Sequence, residues 1–301
     1  MTKTTNILFL IDIQNGFARR NLAPEQGGSL YVPGGEDAAE PAANLISSLS
    51  NAVIVLSQDF HPKDHISFAS NHPGAVPFSN IDLKLGGDGK YHAVEGQAED
   101  AIRQTLWLDH CIQGTESALF VEPVMGELPP NLNAQLRGHI TDAVLVDVDD
   151  RGNEFYVVRK GSRSDVDSYG IVTENDGVTK TGAPATFALI ADKLYKAGSE
   201  ETKIYIGGVA TNFCVEFSHN DIYKYLVPEL KARGIKAEVR LLTDISRGIP
   251  IDVPGGAWPD LAAASNRMAA MGTTETTTDD IIRTNLAGNK VDAGSLRPTV
   301  G

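Results

Sequence analysis

Four short apolar runs constrain the fold most: NILFLIDI from Asn6, AVIVLSQD from Ala52, EFYVVRKG from Glu154 and KIYIGGVA from Lys203. Each is strand-length and rich in β-branched residues, and AEVRLLTD from Ala237 follows the same pattern. Between them lie stretches with helical spacing, EPAANLISSLS from Glu40, APATFALIADKLYKAG from Ala183 and NFCVEFSHNDIYKYLVPELKARG from Asn212, while LAAASNRMAAMG from Leu261 follows the fifth run. Strands alternating with helices predict an α/β fold, a three-layer, doubly wound and mainly parallel sheet with helices on both faces. TDAVLVDVDD from Thr141 reads as an added strand that pairs with EFYVVRK as a hairpin across RGN.

Nothing divides the chain, so residues 1–301 are expected to form a single domain. Two long loops rich in Gly and Pro stand out, NLAPEQGGSLYVPGG (21–35) and the segment from about Ala69 to Gly89, and loops of such length are often functional. The tail after Thr273 reads as a poorly packed extension with at most a short ordered piece. A net charge of −13 opposes general affinity for nucleic acid. No run approaches the ~20 apolar residues of a membrane span, and MTKTTNILFLIDIQ lacks a signal peptide's longer apolar region. The expectation is a soluble, cytoplasmic protein. Two cysteines, Cys111 and Cys214, are too few for a disulfide framework.

In a sheet of this kind ligands bind beyond the carboxyl ends of the strands. Asp12 ends the first run, Asp59 and His61 follow the second, Lys160 ends the EFYVVRK run, and Cys214 follows the fourth at a helix start. Singly, Asp12 is a turn or cap, Lys160 a solvated lysine and Cys214 a packing residue. Together they put a carboxylate, an ammonium and a thiol on one edge. A helix N-terminus and a nearby Lys160 both favour thiolate, and Asp12 suits a general base and acid. SQDFHPKDHISF (57–68) adds Asp59, His61 and His65, a donor set for a divalent transition metal, with His110 in LWLDHCIQGT completing it from a distant loop. Cys111 reads as packing. DVDDRGNE is no calcium loop, because Val158 stands where the closing Glu belongs.

These blocks, in order FLIDIQNGF, DFHPKDHISF, LWLDHCIQGT, RKGSRSDVDSYG and GGVATNFCV, with RLLTDISRGI as a sixth, resemble the cysteine hydrolases of the isochorismatase-like superfamily, and within it the nicotinamidase (pyrazinamidase) family. The similarity runs from about Asn6 to Gly272. It implies the isochorismatase-like hydrolase fold and hydrolysis of nicotinamide, and of pyrazinamide, through a Cys214 thioester in pyridine-nucleotide salvage. Asp12 would shuttle protons, Lys160 would hold both and stabilise the thiolate, and the N–H groups of Ala210 and Cys214 would receive the oxyanion beside a cis Val209–Ala210 bond. Asp59, His61 and His110 would bind one metal, zinc or else manganese or iron, with His65 a fourth ligand or behind them. Phe17, Trp107 and Tyr169 match the wall around the ring. Two departures stand out. Leu108 and Asp109 occupy a place where the family often has proline after the tryptophan, and the chain is longer through 121–153 and its C-terminal tail. Those segments are expected to cover the site or to build the interface of a homo-oligomer. The alternatives are a sibling amidohydrolase for a carbamoyl or ureido substrate and a catalytically silent binding member.

Overall fold

The structure, a computed structural model, describes residues 2–95, 99–138, 140–249 and 261–285. Its central strands are β1 (Thr4–Ile11), β2 (Val53–Asp59), β7 (Glu154–Lys160), β8 (Glu201–Gly208) and β9 (Lys236–Leu242). Together with β6 (Val144–Val148) and β10 (Thr274–Thr276) they form a seven-stranded sheet in the order β10-β9-β8-β1-β2-β7-β6. All pairs are parallel except β6–β7, the hairpin anticipated across RGN. The mainly parallel α/β architecture is therefore as expected.

β1 is central because every residue from Ile7 to Ile11 is apolar and buried. Its pleat divides the core. Ile7, Phe9 and Ile11 face a cluster with α5 (Ala183–Lys196) and with a continuous helical run over 211–232. That run comprises a π turn at Thr211–Val215, α6 (Glu216–Asp221), a second π turn at Ile222–Leu226 and α7 (Val227–Ala232). Leu8 and Leu10 face the opposite cluster, built with α2 (Ala39–Ser48), α3 (Glu122–Glu127) and α4 (Pro130–Arg137).

Three sequence expectations change. The 121–153 segment does not cover the site, since Val124, Met125, Leu132, Leu136 and Leu145 are buried in the core of the second face. The stretch from Ala69 to Gly89 is not loop throughout: β3 (Asn80–Leu85), β4 (Tyr91–Val94) and β5 (Ile102–Thr105) form a small antiparallel side sheet in the order β4-β3-β5. After α8 (Leu261–Ala270), the residues past Thr273 add β10 to the sheet and then a helix over 278–285 that buries Ile281. Asp244 anchors that helix by accepting from Thr278 N–H at 3.1 and 3.0 Å. The remainder of the tail, with GNKVDAG, lies outside the described residues. No helix among the described residues is long and apolar enough to cross a membrane.

β1 leads to β2 on one side, whereas β8 returns to the other side of β1, with Ile11 opposite both Ser57 and Gly208. This reversal of strand order opens the crevice in which such sheets bind ligands.

Candidate active site

Asp12 leaves β1 with φ +49°, in the left-handed region that aspartate tolerates better than most residues. Ser57 of β2 stabilises the turn on both sides. Its Oγ accepts the Asp12 N–H at 3.1 Å and donates to Asp12 Oδ1 at 2.6 Å. Register then aligns Asp59 with Lys160 across β2 and β7. The Lys160 Nζ lies 2.9 Å from Asp12 Oδ2, 3.0 Å from Asp59 Oδ1 and 3.5 Å from Cys214 Sγ, and it donates to the Ser168 carbonyl at 3.1 Å. Asp12, Asp59 and Cys214, all anticipated at the strand ends, thus meet around one buried ammonium.

Burial and two carboxylates set the charge balance around Lys160. Burial disfavours the Lys160 ammonium, but Asp12 and Asp59 outweigh it and hold Lys160 well above its ordinary range. Burial likewise pushes the Cys214 thiol well up, with Lys160 pulling against it and Asp12 and Asp59 adding to the rise. Lys160 thus pulls in the expected direction, towards thiolate, while burial first and the two carboxylates after it favour the protonated thiol. Asp12 is itself raised by burial, with Lys160 opposing and Asp59 reinforcing. A raised carboxyl beside a raised thiol is suited to exchanging one proton between them.

Cys214 lies in the π turn at Thr211–Val215, directly after a cis Val209–Ala210 bond. Gly208 (φ +137°) ends β8 hard against β1, where a Cβ would stand 2.0 Å from the Ile11 carbonyl oxygen. Only glycine permits this approach of β8 to the strand that carries Asp12.

Asp59 also faces two imidazoles. His61 Nε2 is 3.1 Å and His110 Nε2 3.4 Å from Asp59 Oδ2. The other ring nitrogens pair with carbonyls, His61 Nδ1 with Gly161 at 2.9 Å and His110 Nδ1 with Leu108 at 2.7 Å. With Nδ1 turned to a carbonyl, each ring presents Nε2 as its ligand atom. The ligand atoms of these three buried residues lie within 4.8 Å of one another, so the donor set fits a metal ion. His65 lies beside this trio, its ring 4.3 Å from that of His61. Its Nδ1 meets Ser67 Oγ at 2.7 Å and its Nε2 meets the Val166 carbonyl at 3.3 Å, and it groups with His61 and Asp167. Burial, reinforced by His61, lowers His65 to about 3.

Phe17, Trp107 and Tyr169 do line one pocket with Cys214, His110 and Asp59. Trp107, Tyr169 and Phe213 meet edge-on, with ring centroids 5.5 to 6.1 Å apart. Leu30 and Val32 complete the wall from the 21–35 loop, which is held by Leu30 N–H to Gly16 O and Val32 N–H to Phe17 O, both 2.9 Å. The pocket is thus apolar along its sides, with the metal-capable set and the thiol at its polar positions. Cys111 is fully buried against Ser117, as the packing reading expects.

No protein-family model matches the chain. A nicotinamidase of Acinetobacter baylyi is 34% identical over 72% of this chain and 74% of its own, and one of Escherichia coli is 30% identical over 89% and 92%. The chain belongs to the nicotinamidase family. A solved nicotinamidase and pyrazinamidase of Acinetobacter baumanii superposes with a TM-score of 0.59 at 27% identity, covering 92% of this chain and 98% of that one.

Sequence reasoning missed several residues of this nicotinamidase-family site. Ser57 is the first polar residue to interrupt the apolar run of β2, a signal that was available. Gln14, in FLIDIQNGF, clamps the end of β2 by accepting Asp59 N–H and donating to Asp59 O, both at 2.8 Å. Asp167 and Phe213 enter the pocket from loop and helix positions that no periodicity marks.

Proposed function

We propose that this enzyme hydrolyses nicotinamide to nicotinate and ammonia, and pyrazinamide likewise, with Cys214 as nucleophile. The carrying observation is the Lys160 ammonium 2.9 Å from Asp12 and 3.5 Å from Cys214, joined through Asp59 to a metal-capable trio in the same pocket. Asp12 takes the thiol proton as sulfur attacks the carboxamide carbon. The C–N bond then breaks, ammonia leaves with the proton from Asp12, and a thioester remains. Water gives its proton to Asp12 as its oxygen bonds to the thioester carbon, the C–S bond breaks to release the acid, and Asp12 returns the proton to the Cys214 sulfur, so one hard cleavage becomes two easier ones. Backbone N–H groups of Ala210 and Cys214 receive the oxyanion. Lys160 keeps Asp12 oriented and offsets the thiolate as it forms. Phe17, Trp107 and Tyr169 hold the ring. Asp59, His61 and His110 hold one divalent transition metal, zinc first, which when bound supplies a Lewis-acid contact for the pyridine nitrogen. The same reading makes the enzyme a cytoplasmic homo-oligomer, which fractionation and light scattering would check.

The test is ammonia release from nicotinamide, pyrazinamide and a panel of aliphatic amides and ureido compounds. Turnover of the first two, lost in Cys214→Ala with fold and metal content intact, is expected. Turnover of a ureido compound alone would overturn the substrate and keep the chemistry.

A further inference from the structure

Asp221 is buried and does not line the pocket, yet it joins the two segments that do. It closes α6, seven residues beyond Cys214 in the same helical run. Its Oδ2 accepts the Val172 N–H at 2.7 Å and the Thr173 N–H at 3.1 Å, and its Oδ1 accepts the Thr173 hydroxyl at 3.0 Å. One carboxylate therefore satisfies three donors of a loop whose own strand-like pairing is an isolated bridge between Thr173 and Lys180. Gly170 makes the approach feasible, since a Cβ there would stand 2.3 Å from Asp221 Oδ2.

The loop so held contains two groups that matter. The Ser168 carbonyl accepts from Lys160, and Ser168 Oγ in turn donates to Gly170 O at 2.9 Å. The Tyr169 ring stands against Trp107 and Phe213, with Phe217 of α6 behind it at 5.4 Å. Both sit within a few residues of the Asp221 clamp. Buried carboxylates that accept several backbone N–H groups fix a loop more strictly than apolar contact does, because each donor released into a dry site is left unsatisfied.

We propose that Asp221 is a positioning residue for the amide hydrolysis, holding the 168–173 loop to the helix that bears Cys214 so that Tyr169 and the Ser168 carbonyl keep their places. The inference rests on the functional reading above. Asp221→Ala removes the clamp from the helix side, and Gly170→Ala displaces it from the loop side without touching the acid. Asp221→Asn keeps an oxygen for both N–H groups and lets the amide donate to Thr173 Oγ1, so it restores the clamp.

Two readouts test this: kcat and KM for nicotinamide at 25 °C, and the rate of Cys214 alkylation by iodoacetamide, read by peptide mass spectrometry. Both alanine variants should lose roughly tenfold or more in kcat/KM, mainly through KM, as expected of a loosened wall. Alkylation should accelerate by a similar factor while the asparagine variant stays near wild type on both measures. A merely structural role would lower Tm with kinetics and alkylation unchanged, and that result overturns the proposal, as would asparagine failing alongside alanine. Wild-type protein inert towards nicotinamide would sink the functional reading instead, leaving the alkylation series to decide on Asp221.

Discussion

Replacing Lys160 by Met removes the ammonium between two buried carboxylates while nearly keeping its volume. At 2.9 and 3.0 Å the contacts with Asp12 and Asp59 correspond to on the order of 6 kcal/mol each at an effective dielectric of about 20, before desolvation is subtracted. Burying the ammonium consumes much of that, and breaking such a buried network by deleting one partner typically costs ~3–5 kcal/mol. The loss should depend on pH in a definite direction. Asp12 is already raised by burial, and the opposing pull of Lys160 vanishes in the variant, so its folded pKa rises further. A carboxyl raised on folding contributes stability that is present below its unfolded value, near 3.9, and lost as pH rises through the folded value. Lys160→Met should therefore lie closest to wild type in acid and show its full deficit near pH 8. Urea unfolding at pH 5 and pH 8 measures both, and hydrolysis should be abolished throughout. A variant equally stable at pH 8, or one whose deficit grows towards acid, would refute the charge assignment.

Other outcomes follow from single contacts. Gly161→Ala should lower metal content, measured by elemental analysis, because Gly161 has φ +60° and the new Cβ would stand 2.4 Å from His61 Cε1. Asp12→Asn should cost ~10²–10⁴-fold in kcat with metal retained, since the shuttle is lost while the Ser57 contact can persist. Asp244→Ala should destabilise the protein by about 1 kcal/mol in thermal or urea unfolding, by releasing the Thr278 N–H. Burial raises Glu174 to about 7 against the pull of Arg163, so the stability it gives in acid is lost as pH climbs from about 4.5 to 7, and Glu174→Gln should flatten the unfolding profile over that window.

Why some of this was legible in the sequence and some was not has a physical basis. β1, β2, β7 and β8 are buried on both faces over most of their length, so their apolar runs advertise them, and the chemistry at their ends could be located by position alone. β3, β4 and β5 are short, partly exposed and largely polar, and TET of β10 carries no apolar signal at all. The Asp12, Lys160, Cys214 and Asp59, His61, His110 sets were readable as residue types. What they do electrically was not, because the upward push on the Cys214 thiol comes first from its burial and then from two carboxylates that the sheet brings beside it. His65 shows the same limit. Its spacing fits a ligand, and its contacts with Ser67 and Val166 are ones that spacing does not reveal.

The pairing of β1 with β8, from Thr4 opposite Glu201 to Ile11 opposite Gly208, also bears on how the enzyme comes into being. Closing two strands separated by most of the chain is entropically the most expensive step in the sheet, whereas β6 finds β7 almost at once. Until that closure Asp12 and Cys214 have no fixed relation. Recovery of hydrolysis after dilution from denaturant should therefore lag behind recovery of helical signal, and no fragment ending before β8 can harbour a working centre.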